Sequence, residues 1–209
     1  MKQRRDAQRN RIRILAAATE VFREQGVEAP LELVASRAEV GRGTLYRHFP
    51  NRAALVAALM ERRLTALEEF AAAHTGEDLL EHLMVEISEL QIRIPGLRSV
   101  VRGGRETPEL FHAVLGRTRA LFAGALDVAL REGAVRPDVT VDDVYLSIAM
   151  IDGAVAAART SVGPSNHERA IALVLRSLRR ERRLTLPSPQ PQVDKSMEAA
   201  ASFWTVPPR

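Results

Sequence analysis

The sequence predicts an all-α protein. Apolar residues recur every three to four positions over most of the 209-residue chain, and the strict alternation typical of β-strands is nearly missing. Aromatic residues make up only 4% of the chain and hydrophobic residues 46%, proportions that suit helices packed around ordinary apolar cores. The length allows one or two compact domains.

The composition narrows the chemistry before any motif is considered. The chain has no cysteine, which rules out disulfides, thiolate nucleophiles and cysteine-ligated metals. The basic N-terminus lacks the apolar core of a signal peptide. The longest apolar stretch, residues 147–158, contains Asp152 and is too short to span a bilayer. We therefore expect a cytoplasmic protein with no membrane segment and no bound cofactor.

Positive charge is concentrated in the first third of the chain. The formal net charge is +4, but residues 1–63 contain 13 Lys and Arg against 7 Asp and Glu, and the remainder contains 17 against 19. Nearly all of these cations are Arg, which suits bidentate contacts with phosphate and guanine, although a GC-rich coding sequence would favour Arg as well. The asymmetry does not depend on that choice, and it marks the first third as the candidate polyanion-binding surface.

Four helices are predicted in this basic third. The first carries apolar residues at helical spacing and stops at Gly26. Pro30 is expected to open a short second helix at its first position. A turn leads into a short third helix, which Pro50 ends, and Asn51 can cap a fourth.

The rest of the chain predicts further helices separated by breaks rich in glycine and proline. Their approximate ranges are 77–93, 108–133, 144–158 and 167–180. The segment IPGLRSVVRGGRETPE (94–109) is punctuated by glycine and proline and holds three arginines. Residues 185–209 are rich in proline and follow no period, so we interpret them as a disordered tail.

Two short helices joined by a tight turn, and supported by a longer helix before them, predict a helix-turn-helix from Leu31 to Phe49. Its third helix is too short to be stable alone. It offers many hydrogen-bond donors and little apolar surface, as expected of a helix that reads the major groove of DNA. The residues predicted to point inward are Leu33 or Val34, Ala35, Ala38, Val40, Leu45 and Phe49.

The polar residues of the third helix are the candidate DNA contacts. Arg42 has the donors for a bidentate contact with guanine, and Gly43 allows close approach of the backbone. Hydroxyl groups and a histidine supply phosphate donors, and Arg52 lies at a helix N-terminus that favours an anion. Amphipathic packing is the alternative interpretation of Tyr46. The predicted DNA-binding residues are Arg42, Gly43, Thr44, Tyr46, Arg47, His48 and Arg52.

Enzymatic interpretations of the same region find less support. A nucleotide-binding glycine loop follows a strand and carries a lysine at fixed spacing, and VGRGTLYRHFPNR (40–52) has neither. His48 has no carboxylate or nucleophile near it in sequence. His82 and Glu86 lie one helical turn apart, but such a single pair is more often a surface interaction than a metal site, so no metal is predicted. An all-α small-molecule-binding protein or enzyme remains the alternative from another class.

Two stretches, FREQG (22–26) and LVASRAEVGRGTLYRHFPNRAAL (33–55), resemble the N-terminal domain of the TetR family of transcriptional repressors. The run GTLYRHFPNR is specific to that family. The stretch EGAVRPDVTVDDV (132–144) is similar to the one before the penultimate helix in many actinobacterial-type members. This sequence departs from relatives at Glu39, a turn position where they commonly have Gly, so Glu39 is expected to take a left-handed conformation.

The resemblance implies a helix-turn-helix DNA-binding domain over residues 8–68, a helical effector-binding and dimerisation domain over 75–183, and a tail over 185–209. It implies a repressor that binds a pseudo-palindromic operator as a homodimer and is released by a small-molecule effector. An activator of the same fold would share every residue discussed.

The dimer is expected to form through the last two helices, about 141–158 and 167–181, whose small residues permit close approach. The residues expected in that interface are Tyr145, Ile148, Ala149, Gly153, Ala156, Ala157, Ala170, Leu173, Val174 and Leu178.

The candidate effector contacts combine the arginines of the broken segment with apolar residues of the helices. The arginines equally suit a solvated surface, and most of the apolar residues equally suit a plain core. Asp152 is the interior-looking carboxylate, which would need a partner. The candidate effector-binding residues are Met84, Ile87, Arg98, Arg102, Arg105, Phe111, Phe122, Met150 and Asp152.

Overall fold

The computed structural model describes residues 2–94, 96–97, 100, 108–161 and 166–180, without the side chains of residues 2–4, 91–92, 108, 110, 155–161 and 166–167. Every regular element in these ranges is an α-helix, which confirms the all-α prediction. None of the helices in them is both long and apolar enough to cross a membrane. In chain order they are α1 (Lys2–Gln25), α2 (Leu31–Arg37), α3 (Arg42–His48), α4 (Arg52–Ala73), α5 (Leu79–Arg93), α6 (Pro108–Arg131), α7 (Val141–Ser161) and α8 (Asn166–Leu178).

The ends of the first helices follow the local signals in the sequence. Gly26 has a φ of 81°, a conformation that glycine adopts without strain, and its N–H donates to the carbonyl of Phe22 at 2.9 Å. Pro30 is the N-cap residue of α2. It therefore stands one residue before the first helical position, where the sequence predicted it. The Asn51 side chain accepts a hydrogen bond from the N–H of Ala54 at 2.8 Å, which confirms the predicted cap of α4.

Two apolar clusters form the interior of the described residues. The first contains the inward faces of α1, α2 and α3 and the first half of α4. The second contains the later part of α4 together with α5, α6, α7 and α8. Ile94, Leu97 and Phe111 belong to the first cluster although they follow α4 in the chain. The end of α5 and the start of α6 are therefore joined to the N-terminal helices by apolar contacts.

A short loop between α6 and α7 is fixed at both ends. Gly133 has a φ of 69° where α6 stops. The N–H of Arg136 donates to the carbonyl of Leu178 at 2.9 Å, which ties the loop to the end of α8. At the start of α7, the hydroxyl and N–H of Thr140 donate to the Asp143 carboxylate at 2.7 and 2.8 Å, forming a capping box.

Candidate nucleic-acid interface

Helix α3 is held on the surface by a few buried side chains. Leu45 is fully buried and Phe49, the residue that ends the helix, is 1% exposed. Val34 and Ala35 of α2 lie in the same cluster, whereas Leu33 is 39% exposed, so Val34 is the inward residue of that pair. Because a seven-residue helix is unstable alone, these contacts are what position α3.

The opposite face of α3 carries the predicted polar residues. Arg42, Gly43, Tyr46 and Arg47 are exposed, and Thr44 and His48 are half-buried. The Tyr46 ring is 40% exposed, so amphipathic packing accounts for only part of its surface. These six residues make up the outward-facing surface of α3, which we call the α3 face.

Two arginines of the α3 face have partners that sequence reasoning did not find. Arg42 Nη2 donates to Glu32 Oε1 of α2 at 2.6 Å. Arg47 folds back along its own helix, donating from Nε to the Gly43 carbonyl at 3.1 Å and from Nη2 to Thr44 Oγ1 at 3.2 Å. All these contacts are exposed and each is of modest strength, so both guanidinium groups can exchange them for phosphate or base contacts.

Arg52 lies in a different environment from the one predicted. Its Nη1 donates to the carbonyls of Val27 and Ala29, the second at 2.7 Å, and its Nε lies 3.8 Å from Glu28 Oε2. The side chain is 26% exposed. The guanidinium therefore fastens the loop between α1 and α2 to the start of α4, and the DNA contact predicted for Arg52 would require it to leave these carbonyls.

The turn between α2 and α3 contains the expected backbone feature. Glu39 has a φ of 51°, which confirms the left-handed conformation predicted for this non-glycine residue. Its carboxylate accepts from Arg13 Nη2 at 2.6 Å, so a cation from α1 balances the acidic group in the turn. Because L-residues with a side chain are strained in this region, the turn stores a small unfavourable energy.

Ion pairs link α1 to α2. Arg37 donates to Glu24 Oε2 at 3.0 Å and to Glu20 Oε2 at 3.1 Å. The hydrogen bond and charge of Arg37 lower the pKa of the Glu24 carboxyl. Helix α1 also contacts the C-terminal end of α3, because the Arg11 guanidinium lies 4.9 Å from the centre of the Phe49 ring, a cation–π contact. These contacts fix α3 relative to the longest N-terminal helix.

The candidate effector residues that the structure describes are spread over both apolar clusters and the surface. Met84 and Phe122 are fully buried in the second cluster, with Ile87 packed against it, whereas Phe111 belongs to the first cluster. Met150 is 57% exposed, and its prediction as an interior wall is wrong. Asp152 is half-buried, so the fully interior carboxylate is also wrong. The predicted arginines Arg98, Arg102 and Arg105, like the tail over 185–209, lie outside the described residues.

Tyr145 is a polar residue that the effector prediction missed. Its hydroxyl is buried with no hydrogen-bond partner among the described residues. The ring packs edge-on against Phe122 with 6.1 Å between centroids, and Arg119 lies 5.8 Å from the ring centre. Burial raises the pKa of the Tyr145 hydroxyl, an effect that Arg119 partly offsets. The group is therefore a protonated donor at neutral pH, held in an apolar setting.

The last two helices bury some of the residues that were predicted for a dimer interface. Ile148, Val174 and Leu178 are 5–9% exposed and belong to the second cluster of this chain. Among the described side chains of α7 and α8, the exposed large apolar residues are Leu146 at 59%, Met150 at 57% and Leu173 at 47%. The predicted contacts Ala156 and Ala157 lie outside the side chains described.

The fold and the α3 face together define a helix-turn-helix protein. Comparison with known proteins agrees: residues 14–59 match the family described as bacterial regulatory proteins, tetR family. The TetR transcriptional regulator SCO0520 from Streptomyces coelicolor has a crystal structure that superposes with a TM-score of 0.60 at 29% identity, over 81% of this chain and 98% of that one.

Two curated regulators are also similar in sequence. The HTH-type transcriptional regulator UidR of Escherichia coli (strain K12) is 27% identical over 64% of this chain and 73% of its own length. The HTH-type transcriptional repressor KstR of Rhodococcus jostii (strain RHA1) is 29% identical over 79% of this chain and 66% of its own length. Residues 14–59 of the chain are thus an N-terminal domain of the TetR family. These relatives are regulators and not enzymes.

Proposed function

We propose that this protein is a repressor that binds a pseudo-palindromic operator as a homodimer and is released when a small molecule binds its C-terminal helices. The observation that carries the proposal is the α3 face, a row of polar side chains on a helix held by Leu45 and Phe49. Its position after a tight turn, with α2 behind it, is the arrangement in which a second helix enters the major groove.

Within the α3 face, Arg42 and Tyr46 are the proposed base-reading residues. Arg42 is 71% exposed in its side chain and has the bidentate geometry for guanine. Tyr46 offers a ring edge to a thymine methyl group and a hydroxyl to phosphate. Thr44, Arg47 and His48 are proposed to contact phosphates, and Gly43 leaves room for the backbone to approach, since nothing lies within 4 Å of where its Cβ would stand.

The homodimer is proposed to form through α7 and α8, with Leu146 and Met150 in place of the buried residues that the sequence indicated and with Leu173 kept from that set. Leu146 and Met150 lie one turn apart on α7, and Leu173 adds to the exposed apolar surface of α8. Apolar side chains exposed at 47–59% on two adjacent helices gain by being covered in a symmetric contact. A dimer would present two copies of α3 about one helical turn of DNA apart, roughly 34–36 Å.

The effector is proposed to contact Tyr145. A buried hydroxyl without a partner costs about 1–3 kcal/mol, which a bound hydrogen-bond acceptor would recover. Phe122 supplies the apolar surface beside it. A ligand that orders this part of the second cluster would favour one relative orientation of the two α3 helices. The change in the free energy of DNA binding is set by how much more tightly the ligand binds the released orientation than the DNA-binding one.

Two measurements test the proposal. The full-length protein should select a short palindromic sequence from a randomised duplex library, and fluorescence anisotropy should give an affinity for it that falls steeply as salt rises. A reporter gene placed downstream of the selected sequence should be transcribed less when the protein is present. Increased transcription would instead identify an activator, and failure to select any sequence would refute operator binding.

A further inference from the structure

A cleft of about 700 Å³ lies where the N-terminal helices meet the helical body. Three helices and one helix end line it: Ala16 lies on α1, Leu59, Arg62 and Ala66 on α4, Leu90 on α5, and Ile94 directly after α5. The small side chains of Ala16 and Ala66 leave the space open, and the leucines and isoleucine give it an apolar floor. Its volume is in the range of small-molecule sites in proteins.

Among the residues that the structure describes, the charged side chains lining the cleft are paired, with one exception. Arg63 pairs with Glu86 across the space between α4 and α5, and Arg93 pairs with Glu89 at 2.7 Å within α5. The remaining carboxylate, Glu20, already accepts from Arg37 of α2. Arg62 is exposed and has no ion-pair or hydrogen-bond partner among the described residues. Within the described part of the chain, the cleft therefore combines apolar walls with a single unneutralised cation, Arg62.

We propose that this cleft binds an amphiphilic anion, a compact apolar body that carries one carboxylate or sulfonate. The apolar body would cover Leu59, Leu90 and Ile94, and the anionic group would accept hydrogen bonds from Arg62. The site is separate from the one proposed at Tyr145, which lies in the second apolar cluster between α6 and α7.

The position of the cleft gives its ligand a route to α3. Glu20 lines the cleft and also binds Arg37, the last residue of α2. Ile94, at the other wall, packs in the apolar cluster that supports α3. A molecule wedged between α1 and α5 would change how the N-terminal helices sit on the body. This consequence for operator affinity rests on the proposed function, whereas binding itself does not.

The fluorescent probe 8-anilinonaphthalene-1-sulfonate has the required chemistry, and N-phenyl-1-naphthylamine is its analogue without the sulfonate. We expect saturable fluorescence enhancement of the sulfonate with the full-length protein. Arg62→Ala should weaken that binding about tenfold, the loss of one charge-assisted hydrogen bond, and should leave binding of the uncharged analogue unchanged. Ala66→Trp, which fills the cleft, should abolish the saturable binding of both probes.

Matched variants control for exposed apolar surface elsewhere. Arg131→Ala removes an exposed arginine of α6, and Ala72→Trp adds a ring at an exposed position of α4 outside the cleft; neither should alter binding. Equal affinities for the sulfonate in Arg62→Ala, Ala66→Trp and wild-type protein would overturn the proposal. Each variant is also assayed for operator binding without probe. If wild-type protein binds no operator, the proposed function fails. The probe measurements still show whether the cleft binds an amphiphilic anion.

Discussion

Arg47 and Arg52 have the same side chain and opposite roles in this structure. Arg47 is exposed on α3 and holds only local contacts, whereas Arg52 is 26% exposed and donates to two loop carbonyls. Arg47→Ala should weaken binding to DNA of any sequence and lower the salt slope by about one phosphate contact, without changing the melting temperature.

Arg52→Ala should destabilise the fold, because it leaves the carbonyls of Val27 and Ala29 without their donor. The expected cost is about 1–3 kcal/mol of unfolding free energy. Circular-dichroism melting of the two variants side by side distinguishes the roles. A melting temperature that falls for Arg47→Ala and stays constant for Arg52→Ala would reverse the assignment.

The left-handed backbone of Glu39 was predicted from the sequence alone. Its φ of 51° follows from its position in the turn, where a left-handed residue is needed. Glu39→Gly removes roughly 1–2 kcal/mol of strain and adds about 0.5–1 kcal/mol of unfolded-chain entropy, so the stability should rise by up to about 1.5 kcal/mol.

The control is Glu39→Gln, which loses the ion pair with Arg13 and keeps the strained backbone. Chemical denaturation should rank the glycine variant above the glutamine variant in stability. The opposite ranking would show that the turn is not strained by its side chain.

At the scale of the element, the start of α7 is held by a capping box whose strength depends on pH. Two hydrogen bonds from Thr140 lower the pKa of the Asp143 carboxyl. A carboxyl with a lowered folded pKa stabilises the fold above its unfolded pKa, about 3.9, and that contribution is lost as pH falls through the folded pKa.

Asp143→Asn should therefore melt below the wild-type protein at pH 7, and the difference should narrow as pH is lowered below about 4. Thr140→Ala removes the hydroxyl donor and keeps the backbone N–H, and it should cost about 1 kcal/mol at neutral pH. Thermal melts at pH 7 and pH 3 measure both effects. If the melting temperature of Asp143→Asn differs more from that of the wild-type protein at pH 3 than at pH 7, the carboxylate does not stabilise the start of α7.

The elements themselves were largely predictable because their signals are local. Asn51 caps α4, Gly26 terminates α1, and the alternation of Leu45 and Phe49 with polar residues defines which side of α3 is buried. The partners of Arg42 and Arg52 were not predictable, because they depend on where α2 and the preceding loop come to lie.

The prediction that Met150 is buried failed for a different reason. Helix α7 carries apolar or small residues around most of its circumference, so helical periodicity does not indicate which of them face this chain's own core. Only the packing of α5, α6 and α8 against it decides that Ile148 and Ile151 are inside and that Leu146 and Met150 are outside.

At the scale of the whole molecule, the exposed apolar residues of α7 and α8 predict that two copies of the chain form an obligate dimer. The double variant Leu146→Glu and Met150→Glu should be a folded monomer, since neither residue supports the core of its own chain. It should bind the operator at least tenfold more weakly, because it presents one α3 helix and not two. Light scattering after size-exclusion chromatography measures the mass.

Leu115→Glu, at an apolar residue of α6 that is 40% exposed, serves as the control and should stay dimeric. A double variant that keeps the mass of a dimer would place the interface elsewhere. A monomer with wild-type operator affinity would separate dimerisation from DNA binding.

The affinity of the Arg42→Ala and Tyr46→Ala double variant for the selected operator, measured by fluorescence anisotropy at fixed salt, tests the central claim most directly. Both side chains are exposed on α3 and outside the apolar cluster, so the variant should fold and dimerise like the wild-type protein. We expect the variant to lose operator affinity by about tenfold or more and to change much less in nonspecific binding. Binding of the operator as tight as that of wild-type protein would show that α3 does not read DNA.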